Sequence, residues 1–142
     1  MKKSKLSKEE FLQILSTSDM DISKKSDKYH KEECRISADY FGNMPKGNSE
    51  NASLEYLELA STVKKDFLNV GDFLKKNIYA LTGNQIDILN LIIRWSKVKM
   101  HSYKYYSNYL VSEDSEDANE SKRLKEEAES LVEQFLKLIS DL

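Results

Sequence analysis

Arg94 and His101 are the two residues in this sequence whose types and spacing best suit chemistry. An imidazole can move a proton near neutral pH, and a guanidinium can hold a phosphate group. The two residues lie seven positions apart, close to two turns of an α-helix, so both side chains would lie on one face. In a chain with 32% charged residues, such a pair is also expected as two ordinary residues at the edge of a packed helix face.

The segment from Arg94 to His101 (Arg-Trp-Ser-Lys-Val-Lys-Met-His) resembles the Arg-x(4–6)-His motif of HEPN-domain ribonucleases. In that family of small all-α domains, the two residues sit on a helical element at a dimer interface and act together on an RNA phosphodiester. The resemblance covers eight residues, and Trp95 stands where the family often has a polar residue. It implies a ribonuclease in which His101 moves the proton and Arg94 holds the phosphate.

Residues 97–109 combine lysines with tyrosines, and the candidate contact residues among them are Lys97, Lys99, His101, Tyr103, Lys104 and Tyr106. Cations beside exposed tyrosines are typical of protein-binding hot spots, and they also suit nucleic acids, where bases stack on the aromatic rings. Tyr105 and Tyr109 fall on the apolar stripe of the helix and are expected in the core. The simplest explanation of the segment is that its tyrosines belong to the core and its lysines to a solvated helix face. The functional prediction is a surface that binds a protein partner, and the alternative is a surface that binds nucleic acid or a nucleotide.

Four acids, Glu113, Asp114, Glu116 and Asp117, follow this segment. They lack the glycine and the Asp-x-Asp-x-Asp order of an EF-hand loop. Acids at this position favour the positive N-terminus of the next helix, so a solvated connection that caps a helix is the simplest interpretation. The alternative is that they imitate phosphates to a basic partner, and we include them in the predicted partner-binding surface.

His30 and Cys34 lie four residues apart, a spacing that can place two ligands on one metal ion. Zinc usually takes three or four protein ligands and the sequence has one cysteine, so we expect no metal and no other cofactor. The sequence also lacks a glycine-rich phosphate loop, a serine nucleophile elbow and a cysteine–histidine pair with a nearby supporting acid. The single cysteine and the absence of a long apolar window favour a cytoplasmic protein without a membrane partner.

Apolar residues at alternating spacings of three and four predict the helices that position these residues. The stripes begin at Tyr56, Ile88 and Leu124 and continue for many turns. They predict an all-α fold, a four- to five-helix bundle of long antiparallel helices with heptad-like packing. A short helix is expected after a capping box at Ser7, and a break with a new N-cap is expected over residues 16–19. Longer helices are expected at 20–41, 52–81, 85–111 and 116–141, with a loop at 42–51 and a kink or break at Gly71-Asp72.

Charge is unevenly distributed along the chain, although the formal net charge is only −2. Residues 84–111 carry four cationic residues and one acid, whereas residues 112–142 carry ten acids and four cationic residues. This difference predicts two antiparallel neighbouring helices with complementary charges. The alternative is a basic face for nucleic acid that an acidic tail partly covers.

We expect one domain over residues 1–142, with 52–142 as the main three-helix core and 1–47 as less stable N-terminal helices. The length of the stripes favours a homodimer. Because no motif names a reaction, the sequence favours a small non-enzymatic interaction protein, an adaptor or inhibitor of bacterial or phage origin, which binds a protein partner. The alternatives are a HEPN-like ribonuclease that uses Arg94 and His101, and a non-catalytic nucleic-acid or nucleotide binder.

Overall fold

A computed structural model describes residues 4–40 and 49–142. Its helices are α1 (Lys8–Thr17), α2 (Ile22–Tyr40), α3 (Ser49–Asp66), α4 (Val70–Asn77), α5 (Gly83–Ser112) and α6 (Ser115–Ser140), with a short 3-10 helix at Ile78–Ala80. The described residues contain no strand, which confirms the all-α fold class. None of the described helices combines the length and the apolar character needed to cross a membrane. Most of the predicted loop at 42–51 lies outside the described residues, and its last three residues belong to α3.

α5 and α6 are antiparallel neighbours, as the complementary charges predicted. Arg94 on α5 pairs with Glu127 on α6, with 2.6 Å between Nη2 and Oε1. Further along, Ser121 Oγ donates a hydrogen bond of 2.9 Å to the carbonyl oxygen of Ser102. Residue numbers therefore rise along one helix and fall along the other, and an ion pair joins the two helices at their shared edge.

α2, α3, α5 and α6 form the bundle, in which α3 packs on α5 and α2 packs on both α3 and α6. Ser53 Oγ on α3 donates to the Ser107 carbonyl oxygen on α5 at 2.9 Å, and the reciprocal bond from Ser107 Oγ to the Ser53 carbonyl oxygen measures 2.8 Å. At the centre, Trp95 is fully buried, and its ring lies 5.5 Å from the ring of Phe67 and 6.0 Å from that of Tyr29. Helix α2 is thus the fourth helix of the bundle, and its Tyr29 packs at the centre.

The apolar stripes are buried against other helices of the same chain. On α3, Tyr56 and Val63 are 7% and 0% exposed, and on α6, Leu124 and Phe135 are 7% and 2% exposed. The apolar stripes are therefore buried within one chain, and their burial does not by itself require a second copy of the protein. The homodimer, the lower stability of residues 1–47 and the status of 52–142 as the main core stay predictions.

The N-terminal segment closes one end of the bundle. The predicted capping box at Ser7 is present, because Ser7 Oγ accepts from the amide of Glu10 and the Glu10 carboxylate accepts from the amide of Ser7. The amide of Leu6 donates to the carbonyl oxygen of Ala80 at 2.8 Å, and Gln85 Nε2 donates to the carbonyl oxygen of Leu6 at 2.9 Å. α1 is thereby held against the start of α5.

Two predicted element boundaries are displaced in the structure. The break in the third predicted helix comes after Asp66, before α4 begins at Val70, and not at Gly71-Asp72. Asp19 is not an N-cap: it adopts a left-handed φ of 58° and its carboxylate pairs with Lys25 at 2.7 Å. The cap of α2 is Asp21 instead, whose Oδ1 accepts from the amide of Ser23 at 3.0 Å.

Candidate functional site

Helix α6 separates two surface depressions, and four of the six residues predicted for the lysine–tyrosine surface line one or the other. The α5–α6 groove, of about 500 Å³, lies on one side of α6 and is lined by Asn90, Ile93, Arg94, Lys97, Val98, His101, Tyr105, Glu120, Arg123 and Leu124. The α2–α6 cleft, of about 380 Å³, lies on the other side and is lined by His30, Glu33, Cys34, Ser37, Tyr56, Ser102, Tyr103, Tyr106, Ala118, Ser121, Lys122 and Lys125. The sequence predicted one continuous surface, whereas the structure has two separate depressions.

The α5–α6 groove has an apolar lining and a charged rim. Its apolar members include Val98 and Leu124, which are 9% and 7% exposed. Arg94 on the rim is held by Glu127, and Arg123 pairs with Glu120 on its own helix. The groove can therefore accept an apolar side chain between charged groups.

Arg94 and His101 both line the α5–α6 groove, so the helix spacing brings them to one face as predicted. His101 is exposed, whereas the guanidinium of Arg94 is held 2.6 Å from the carboxylate of Glu127. A phosphate bound by Arg94 would have to compete with this carboxylate. Whether the pair cleaves RNA stays a prediction.

Lys99 and Tyr103 were expected on an exposed surface, and this expectation is wrong. Lys99 is 5% exposed and Tyr103 is 1% exposed. The predicted apolar stripe repeats on average every 3.5 residues, whereas the helix has 3.6 residues per turn. The stripe therefore rotates away from the buried face of α5 by about 20° per heptad. By the second half of α5 the buried face has moved to Lys99 and Tyr103, and Tyr105 and Tyr109, expected in the core, are only partly buried.

Tyr106, which was also expected on the exposed surface, is partly buried. Its ring packs edge-on against the ring of Tyr56 with centroids 4.7 Å apart, and burial raises the pKa of its hydroxyl. Lys104 is exposed and lines neither depression. Of the predicted lysine–tyrosine residues, only Lys97 and His101 lie in the α5–α6 groove.

Lys99 lies behind the wall of the α2–α6 cleft. Its Nζ is 3.8 Å from Glu33 Oε2 and 5.0 Å from the centroid of the Tyr103 ring. Burial lowers the pKa of the Lys99 ammonium, and Glu33 only partly opposes this effect. The Tyr103 hydroxyl is also buried, and burial together with the neighbouring Glu33 carboxylate raises its pKa well above the usual range.

His30, Glu33 and Cys34 meet at the mouth of this cleft on a single helix, α2. Cys34 Sγ lies 3.6 Å from His30 Nε2, and His30 Nδ1 lies 3.8 Å from Glu33 Oε2. The sequence analysis missed Glu33 as an acid beside the cysteine–histidine pair, although positions i, i+3 and i+4 of a helix share a face. Among the described residues no group of three or more histidines, cysteines or acids is placed to hold a metal ion.

The acidic connection caps α6. Asp114 Oδ1 accepts from the amide of Glu116 at 2.9 Å, and Asp117 Oδ2 accepts from Ser112 Oγ at 3.1 Å. Glu113 ends α5 with a left-handed φ of 58°. The predicted helix-capping role is confirmed by Asp114, whereas none of the four acids lines either depression, and their part in partner binding stays a prediction.

Comparison of the chain with protein-family models, with curated proteins and with solved structures finds no match.

Proposed function

We propose that this chain is a small non-enzymatic interaction protein, an adaptor or inhibitor, and that it binds a protein partner through the α5–α6 groove. The observation that supports this proposal is the arrangement of an apolar lining inside a rim of charged side chains. Protein–protein interfaces combine a fully buried apolar centre with a polar rim, and arginine and tyrosine are enriched among their strongest contacts. The groove supplies both types in Arg94, Arg123 and Tyr105.

The length of the groove suits a segment of a partner protein. Its lining on α5 extends from Asn90 to Tyr105, which corresponds to about 22 Å at 1.5 Å per residue. An amphipathic helix of about four turns has the same length and can place its apolar residues along such a groove. We therefore expect a helical segment of the partner to lie between α5 and α6.

The charges of the groove favour an acidic partner segment. Three cationic residues, Arg94, Lys97 and Arg123, line it against one acid, Glu120. Arg94 and Arg123 already contact acids of α6, whereas Lys97 has no ion pair among the described residues. An acidic residue beside the apolar anchors of the partner would meet Lys97 and would bind more weakly at high salt.

A ribonuclease is the second candidate, because Arg94 and His101 share this groove. It predicts RNA cleavage that disappears in His101→Ala while the fold is kept. A bound phosphate would compete with Glu127 for the Arg94 guanidinium, which supports partner binding over catalysis.

Photo-crosslinking tests the proposed function on the full-length protein. A benzophenone side chain is introduced at Lys97 in one sample and at Lys64, which is exposed on α3, in the control sample. After irradiation in a nuclease-treated lysate of the cells that encode the protein, we expect one defined protein to be crosslinked from position 97 and not from position 64. Arg123→Glu should then reduce that crosslink, because it reverses a rim charge.

Two results would contradict the proposal. One is a set of crosslinked proteins that is the same from positions 97 and 64, since the groove would then have no preferred partner. The other is capture of RNA without nuclease treatment, combined with cleavage that His101→Ala abolishes, which would establish the ribonuclease.

A further inference from the structure

We propose that Cys34 is a nucleophilic thiol that forms a mixed disulfide with a small anionic thiol, and that the lysines of the α2–α6 cleft bind the anionic group of that molecule. The reagent that delivers this group is a small disulfide that carries carboxylates. The proposal rests on three features that meet at the mouth of the cleft: an imidazole beside the thiol, an acid that faces the same imidazole, and two lysines on α6.

The first feature is the contact between Cys34 and His30. Cys34 Sγ lies 3.6 Å from His30 Nε2, one helical turn earlier on α2. A thiol reacts as its thiolate, and an imidazole within hydrogen-bond distance can take the thiol proton and hold the thiolate as an ion pair. Because Cys34 is exposed, an incoming molecule can reach its sulfur from solvent.

The second feature is the position of Glu33. Its Oε2 lies 3.8 Å from His30 Nδ1, so the carboxylate faces the ring nitrogen that does not contact the sulfur. A carboxylate in this position stabilises the imidazolium that forms when His30 takes the thiol proton. Nucleophile, base and supporting acid therefore lie together on one face of α2.

The third feature is the charge on the α6 side of the cleft. Lys122 and Lys125 line it, and neither has an ion pair among the described residues. Glu33 is the acid among the lining residues, and its carboxylate already faces His30 and Lys99, each at 3.8 Å. The cleft therefore attracts an anion towards the sulfur of Cys34, and its volume of about 380 Å³ can hold a short carboxylate chain.

The exchange balances without a further oxidant. The Cys34 thiolate attacks one sulfur of the disulfide, so that a new sulfur–sulfur bond forms and the old one breaks. The other half of the molecule leaves as a thiolate with the bonding electron pair, and it takes the proton that His30 held. Cys34 is oxidised and the departing thiol is reduced, so an excess of the free thiol reverses the reaction.

Three reagents test the proposal on the full-length protein: the disulfides of mercaptopropionate, mercaptoethanol and cysteamine, which are anionic, neutral and cationic. Mass spectrometry measures the rate at which each forms an adduct. The reference protein combines Cys34→Ser with Ser16→Cys, which moves the thiol to an exposed position of α1 with no histidine or lysine among residues 12–20. Each rate is divided by that of the reference protein, which removes the intrinsic reactivity of the reagent. We expect a ratio of at least about ten for the anionic disulfide, and the smallest ratio for the cationic one.

Variants separate the role of the imidazole from that of the lysines. His30→Gln should slow all three reagents about tenfold or more and leave the urea midpoint unchanged, because His30 is exposed. Lys122→Gln with Lys125→Gln should slow only the anionic disulfide, by about fivefold, and should speed the cationic one. The matched control is Lys64→Gln with Lys137→Gln, which changes the net charge equally at exposed positions outside the cleft and should leave the three rates unchanged.

Three results would overturn the proposal. The first is a rate at Cys34 equal to that of the reference protein, which would make Cys34 an ordinary surface thiol. The second is an unchanged rate in His30→Gln. The third is a ratio that is the same for the three reagents or highest for the cationic one, since the lysines would then not select the anion. Because Cys34, Lys122 and Lys125 do not line the α5–α6 groove, failure here leaves the crosslinking test of the groove unaffected.

Discussion

Alkaline pH should unfold this protein at a pH set by its buried tyrosines. Burial raises the pKa values of Tyr29, Tyr56 and Tyr103 well above their usual range, and in Tyr29 the hydrogen bond of 2.6 Å from its hydroxyl to Asp66 adds to the effect. Below pH 10 these groups are protonated in both the folded and the unfolded chain, so their contribution to stability is fully present. Above pH 10 only the unfolded chain loses these protons, and stability falls.

The size of this loss follows from the number of buried hydroxyls. A tyrosine in an unfolded chain has a pKa of about 10, so at pH 11 each hydroxyl that the fold keeps protonated lowers the free energy of unfolding by about 1.4 kcal/mol. Tyr29, Tyr56 and Tyr103 together then remove about 4 kcal/mol, a large part of the typical total of about 5–15 kcal/mol. Lys25, whose pKa is raised, acts in the same direction, and Lys99, whose pKa is lowered, acts in the opposite direction.

Urea unfolding followed by circular dichroism at pH 8, 10 and 11 measures this loss, and tyrosinate absorbance reports the protons released on unfolding. Tyr103→Phe should remove about one third of the change between pH 10 and pH 11. Tyr79→Phe is the control, because the Tyr79 side chain is 85% exposed. A urea midpoint that stays constant from pH 8 to pH 11, or an equal effect of the two variants, would refute the reasoning.

Three further predictions concern the polar contacts that join the helices. Lys25→Met should lower the free energy of unfolding by about 1.5–3 kcal/mol because it removes a charged hydrogen-bond donor from the partly buried Asp66, whereas Lys24→Met, at an exposed position, should change it little; urea unfolding measures both. Asp19→Asn should flatten the loss of thermal stability below pH 4, because the hydrogen bond from Lys25 lowers the pKa of Asp19 and its contribution is present above pH 3.8 and lost as the pH falls further. Ser107→Leu should cost about 2–3 kcal/mol by forcing α3 from α5, and Ser107→Ala only about 1 kcal/mol for its bonds with Ser53; equal urea midpoints for the two variants would contradict the close packing.

The positions of the long helices could be predicted because capping residues and apolar periodicity depend on neighbouring positions in the sequence. Ser7 and Glu10 form the expected capping box, and the helices predicted at 85–111 and 116–141 are observed at Gly83–Ser112 and Ser115–Ser140. Boundaries that depend on tertiary contacts were less predictable. Aspartate is a favoured N-cap residue, but Asp19 has a left-handed backbone and pairs with Lys25. Asp21 caps α2 instead.

The candidate site was predicted less well because small angular errors accumulate along a helix. Over the three heptads from Ile88 to Tyr109, a drift of about 20° per heptad amounts to about 60°, enough to exchange a buried position for a half-exposed one. The predicted segment contributes residues to both depressions, but Lys99 and Tyr103 lie on its buried face. It also could not show that α6 divides the segment, since that depends on how three helices pack.

Two buried lysines in this bundle lie in opposite electrostatic surroundings. Lys25 is 4% exposed, and its ammonium lies 2.7 Å from Asp19 and 3.4 Å from Asp66. Burial disfavours its charge, but the two acids outweigh that effect and raise its pKa. Lys99 is buried to the same degree, yet it has one acid at 3.8 Å and its pKa is lowered. The same residue type is therefore neutralised at one position and only partly neutralised at the other.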